Sequence, residues 1–131
     1  MQKRIPSEMI SYLILKIIEE KGYTYGYELL KKMKEKSNGH WEPSYGTIYG
    51  ALNRMEKNGF IERADREPED RKYYQLTEEG MDELEEREVR IKNIGSSAEN
   101  MVLGFLNVYR DIYGKEHLDE ILEKIKTEFE V

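Results

Sequence analysis

No cysteine occurs anywhere in the 131 residues. Disulfides, thiolate metal sites and a cysteine nucleophile are thereby excluded, and the composition fits a reducing compartment. Histidine is nearly as scarce. His40 and His117 are the two in the chain, and neither has a carboxylate pair, a phosphate-binding loop or a nucleophile motif beside it. Acid–base chemistry and metal ligation have nothing to build on, so neither an enzyme, a metal site nor a cofactor is expected. Long apolar runs are missing as well. The longest, "MISYLILKII", is interrupted by Lys16 and followed by "EEK". It is too short to cross a bilayer, and no signal-like segment precedes it. A soluble, cytoplasmic protein without membrane contact is the expectation.

What the chain does have is charge. Charged residues make up 37% and hydrophobic residues 38%, enough for one modest core that a partner subunit would supplement. The net charge of −6 is unevenly spread. Residues 1–76 carry 14 Lys/Arg against 12 Asp/Glu, whereas residues 77–131 carry 7 against 15. The N-terminal part is therefore mildly basic (+2) and the C-terminal part strongly acidic (−8), which suggests two regions with different tasks.

Hydrophobic spacing gives the elements. Ile10, Leu13, Ile14, Ile17 and Ile18 recur at three and four residues within 7–21, a helical stripe that Gly22 would stop. "YTY" at 23–25 is an extended link or a minimal strand. A second helix over 26–37 buries Leu29, Leu30 and Met33, and Trp41 after it reads as structural. A third follows in "PSYGTIYGALNRMEKNGF". Ser44 is its N-cap, Ile48, Ala51, Leu52 and Met55 its buried stripe, and Asn58-Gly59 its stop. "FIERA" and "RKYYQL" form a hairpin around "DREPED", with Tyr74 and Leu76 facing the core, and Thr77 caps the next helix. Helix, link, helix, turn, helix, hairpin, helix is the order of a winged helix-turn-helix. The fold class is thus mainly α with a small β-hairpin (α+β). A winged-helix domain occupies 1–78, and a C-terminal helical dimerisation region occupies 79–131.

The third helix poses a question. Gly46 and Gly50 stack on one face, although each costs about 1 kcal/mol relative to alanine. That face, opposite the buried stripe, also carries Tyr49, Asn53 and Lys57, with Arg54 beside them. Two explanations are open: close approach of another helix, or close approach of a ligand as large as a duplex.

"GYTYGYELLKKM", "WEPSYGTIYGALNRMEKNGFI" and "RKYYQLTEEG" resemble, in order and spacing, the PadR family of winged-helix transcriptional regulators, over about residues 10–80. The resemblance implies operator binding as a homodimer, often as a repressor. It also implies release by a phenolic or hydrophobic small molecule in some members. Two departures stand out: the family usually has proline where this chain has Tyr45 and Gly50, and the wing "REPEDRK" is acidic and lacks glycine.

The candidate DNA-binding residues are Tyr25, Tyr27, Ser44, Tyr45, Gly46, Thr47, Tyr49, Gly50, Asn53 and Lys72. Asn53 suits bidentate pairing with adenine, and a tyrosine hydroxyl suits phosphate. Ser44 and Thr47 suit either capping or phosphate contact. Tyr25 and Tyr27 flank a flexible Gly26, with one of the two tyrosines expected in the core. Adjacent Arg71 and Lys72 should point to opposite sides of a strand, and Lys72 matches the family's basic residue.

In the acidic part, Leu84, Ile91, Ile94, Met101, Phe105, Val108 and Ile112 fall on a heptad seam and are the candidate dimerisation residues. A second apolar stripe runs beside them, and a helix apolar on two faces needs cover from a second chain. Gly95, then Ser96-x-x-Glu99, reads as a stop followed by a capping box, so a break is expected there. Phe105 and Tyr109 are candidate residues for an aromatic or hydrophobic effector; plain core is the alternative. The expected partners are double-stranded operator DNA, a second copy of the chain and such an effector. A winged helix that serves only as a protein-interaction module is the competing functional reading.

Overall fold

Six helices and three short strands follow one another in the order α1 (Ser7–Lys21), β1 (Thr24–Tyr25), α2 (Gly26–Lys36), α3 (Tyr45–Lys57), β2 (Ile61–Ala64), β3 (Tyr73–Leu76), α4 (Glu78–Ile94), α5 (Ser96–Tyr113) and α6 (Lys115–Phe129). The computed structural model describes residues 7–66, 71–94 and 96–130. The chain divides into two compact units, Met1–Val89 and Arg90–Val131.

In the first unit α1 is the central helix. Ile10, Ile14, Leu15, Ile17 and Ile18 are buried and cluster with Leu29 and Met33 of α2, Ile48, Ala51, Leu52 and Met55 of α3, and Tyr74. Leu15, absent from the stripe read in the sequence, is fully buried, because α1 is covered by α2, α3 and β3 together. Trp41 packs against this cluster. Burial of these side chains, at about 1.5–3 kcal/mol each, is the main term holding the three helices in place.

The link "YTY" contributes a true strand. β1 pairs with β3 at Thr24↔Tyr74 and Tyr25↔Tyr73, and β2 pairs with β3 from Ile61↔Leu76 to Ala64↔Tyr73. The sheet order is β1-β3-β2, all antiparallel. Central position explains a departure from expectation. Alternation would bury Tyr74 and Leu76 alone, yet Tyr73 is buried too, edge-on to the rings of Tyr23 and Tyr25 at 5.7 and 5.3 Å. Both faces of β3 are covered.

Turn chemistry sets the helix ends. Gly59 has φ +81°; its N–H donates to Glu56 and that of Phe60 donates to Met55 (3.0 and 2.9 Å). This is the Schellman pattern that closes α3. Thr77 caps α4, its hydroxyl accepting from the Gly80 N–H at 3.0 Å. Gly80 is required by packing: an added Cβ would lie 1.9 Å from the Phe60 carbonyl oxygen. The middle of α4 is tied to α1 by Glu88, which accepts from the Tyr12 hydroxyl (3.4 Å) and pairs with Lys16 (3.1 Å).

That junction corrects one expectation. Leu84 is 2% exposed and belongs to the core of the first unit, so it is unavailable to a seam between chains. Compactness likewise groups α4 as far as Val89 with the winged helix, whereas the sequence reading divided the chain after 78.

In the second unit α5 packs with α6, and no residue of α6 is buried. Tyr109 and Tyr113 stand 4.6 Å apart at ring centroids. Met101, Val102, Leu103, Phe105, Val108, Ile112 and Tyr113 are all more than half exposed, Phe105 at 73% and Ile112 at 68%. α4 and α5 are described as separate helices on either side of Gly95, which itself lies outside the described residues. So do the side chains of Ile91, Ile94 and Ser96.

Candidate nucleic-acid interface

α3 presents its face as the apolar stripe dictates. With Ile48, Ala51, Leu52 and Met55 turned inward, Tyr45, Gly46, Tyr49, Asn53, Arg54 and Lys57 are turned out. Ser44 caps the helix by accepting from the Thr47 N–H at 3.1 Å, and its hydroxyl is 2.9 Å from that of Thr47. Capping by Ser44 is therefore realised, while both hydroxyls remain exposed at the positive end of the helix.

The glycine question receives a geometric answer. A Cβ on Gly46 would meet nothing closer than the Ser44 hydroxyl at 3.8 Å, and one on Gly50 nothing closer than the Arg54 guanidinium at 3.5 Å. Among the described residues no neighbouring helix explains their missing side chains. Gly26 is the opposite case. A Cβ there would fall 2.8 Å from the Tyr49 ring, so this buried glycine serves close packing of α2 on α3 rather than flexibility, as the sequence reading had it.

Three aromatic rings line this surface. Tyr27, Tyr45 and Tyr49 are 55, 52 and 41% exposed, stacked in sequence with centroid spacings of 6.5 and 6.2 Å and interplanar angles of 22° and 16°. Beside the row opens a cleft of about 450 Å³ lined by Tyr25, Tyr27, Tyr49, Asn53, Arg71 and Lys72, with Gly26 and Tyr74 completing it. Five of the ten candidate DNA-binding residues thus meet in one cavity, although they come from β1, α2, α3 and the end of the wing. Neither Tyr25 nor Tyr27 is buried in the core: Tyr25 is half-buried beneath the Arg71 guanidinium, 4.6 Å from its ring centroid.

Arg71 and Lys72 both face this cleft, against the expectation of opposite sides. They precede β3, where strand alternation does not operate. Lys72 is exposed and has no carboxylate partner among the described residues. Burial, and next the Glu56 carboxylate, hold the Tyr74 phenol above its ordinary 10.0 against the opposing pull of Arg63. The hydroxyl in the cleft therefore stays a proton donor at neutral pH. Residues 67–70 of the acidic wing lie outside the described residues. Sequence reasoning missed Arg71 and Tyr74 as cleft residues; for Arg71 the signal was adjacency to Lys72, discounted by applying strand periodicity one step too early, and Tyr74 was assigned to the core.

An exposed α3 thus stands beside a hairpin, bare at two glycines, with Arg71 and Lys72 at the cleft along its edge. Residues 14–86 match the family described as PadR-like transcriptional regulators. The chain belongs to that family. A transcriptional regulator from Clostridium thermocellum has the same fold, with a TM-score of 0.64 and 29% identity over 76% of this chain and 99% of that one. A PadR family transcription regulator from Clostridium difficile is similar at a TM-score of 0.59 and 35% identity, covering 71% and 97% of the two chains. An uncharacterised protein of Lysinibacillus sphaericus is 34% identical over 77 residues, 56% of this chain and 70% of that protein. The PadR-like chain is accordingly a transcriptional regulator rather than an enzyme. Among its described residues no helix is long and apolar enough to cross a membrane.

Proposed function

We propose that this PadR-like chain is a homodimeric repressor that binds a two-fold-related operator in the cytoplasm. Tyr25, Tyr27, Ser44, Tyr45, Gly46, Thr47, Tyr49, Gly50, Asn53 and Lys72 make its DNA contacts. The observation that carries this reading is the meeting of Tyr25, Tyr27, Tyr49, Asn53 and Lys72 around one cleft beside an α3 face whose glycines no other element among the described residues approaches. The N-terminal end of α3 enters the major groove, the glycines let its backbone approach the base edges, and Asn53 reads adenine. Lys72 holds a phosphate at the groove edge.

The dimer is formed by the second unit. A helix with Met101, Phe105, Val108 and Ile112 all more than half exposed has an apolar face that a second copy covers at a gain of about 25 cal/mol per Å². Two copies related by a two-fold axis place their α3 helices in successive major grooves about 34 Å apart. Phe105 and Tyr109, exposed and half-buried respectively, are the residues toward which a small aromatic or hydrophobic effector would be drawn when it releases the repressor.

Fluorescence anisotropy across a salt series tests the reading. Binding should be tight at low salt and fall log-linearly, and Lys72→Ala should lower the slope by about 0.9, the loss of one released counterion. An unchanged slope would remove Lys72 from the phosphate contacts. Indifference to duplex at every salt would favour the protein-interaction reading instead.

A further inference from the structure

The tyrosine row supports an inference that rests on the DNA-binding reading and goes beyond it. Tyr45 occupies the first position of α3, at the leading edge of the proposed recognition face. It is half exposed and is flanked on both sides by near-parallel rings. The exposed face from Tyr45 to Asn53 carries Tyr, Gly, Thr, Tyr, Gly and Asn, with neither cation nor carboxylate. Guanine is read in the major groove chiefly by arginine or lysine, and cytosine by a carboxylate. Arg54 meets this face at Gly50, behind the tyrosines, and Arg71 and Lys72 lie across the cleft from Tyr49 and Asn53, away from the leading edge that Tyr45 forms. What the leading edge offers is ring edge and methyl. In the major groove the apolar feature that such groups meet is the thymine C5-methyl.

Spacing agrees with that partner. Ring centroids 6.5 and 6.2 Å apart correspond to about two base steps at 3.4 Å each, so successive rings meet alternate bases rather than competing for one. We propose that Tyr45 is a specificity-determining residue of this regulator. Supported by Tyr27 and Tyr49, it packs its ring against thymine methyl groups and makes the operator half-site demand thymine at the positions it covers.

The test uses the full-length protein. Bound duplexes are selected from a random pool, and each thymine of the best site is then replaced singly by deoxyuridine, which deletes the methyl and leaves base pairing intact. One or more replacements should weaken binding about fourfold, the value of about 0.8 kcal/mol for one buried methyl-sized group. Tyr45→Phe should retain that thymine–uracil difference, and Tyr45→Ala should abolish it at the same position. Selected sites without a shared thymine, tolerance of uracil throughout, or an unaltered pattern in Tyr45→Ala would each overturn the inference while leaving DNA binding in place. Failure to select any duplex would overturn the regulator reading and this inference with it.

Discussion

Filling the bare face of α3 should strengthen the fold and weaken the function. Gly50 lies in the interior of the helix, where an added Cβ would meet only the end of the Arg54 side chain. Gly50→Ala should therefore recover helix propensity of about 1 kcal/mol. For a domain the size of the first unit, that raises Tm by roughly 4–8 °C. Gly46→Ala, in the first turn, should contribute less. The new methyl meets Arg54 at ordinary contact distance, 3.5 Å, so no strain opposes the gain. On DNA the same methyl stands between the helix backbone and the base edges. Overpacking costs of about 1–3 kcal/mol correspond to roughly a five- to 150-fold rise in Kd. Thermal unfolding by circular dichroism and anisotropy titration against one selected site measure the two effects on the same preparations. A lowered Tm would mean that the face packs against protein. A raised Tm with unchanged Kd would mean that the glycines do not serve approach to DNA, and the reasoning would fail at its first step.

Other substitutions separate structural from functional roles. Gly80→Ala would drive a Cβ into the Phe60 carbonyl, a backbone atom that cannot swing aside; denaturant unfolding should show a loss of about 1–3 kcal/mol or more. Leu84→Ala should cost about 2–5 kcal/mol by opening a cavity in the first unit without altering the molecular mass by light scattering. Phe105→Asp should shift that mass towards the monomer and leave the winged helix folded. The raised phenol of Tyr74 gives a pH signature: its folded-state value exceeds 10.0, so the folded state resists deprotonation more than the unfolded chain does. Its stabilisation is complete below pH 10 and is lost as pH climbs from there through the folded-state value. Alkaline unfolding curves of Tyr74→Phe should fall less steeply in that window, and an identical curve would place the titration elsewhere.

Much of this architecture could be read before any coordinates. Periodicity located α1, α2 and α3 because each buries one stripe against a single shared core, and the spacing of Ile48, Ala51, Leu52 and Met55 records that burial directly. Ser44 and Gly59 marked the ends of α3, since capping is a local hydrogen-bonding matter settled within a few residues. Local rules failed where neighbours arrive from far along the chain. The burial of Tyr73 depends on β1 joining the sheet beside β3. Gly26 is small because of Tyr49, a residue of another helix. Leu84 keeps heptad spacing, yet the fold turns it into the core of the first unit.

The chain's sequence determined that a glycine-bearing helix would turn a polar, aromatic side outward, since apolar spacing leaves no other orientation. Tertiary structure alone decided that Tyr27, Tyr45 and Tyr49 form one row and that Lys72 and Arg71 share a cleft with Asn53. Such groupings are set by how α2, α3 and β3 pack together, and contacts across that packing have no counterpart in the order of residues along the chain.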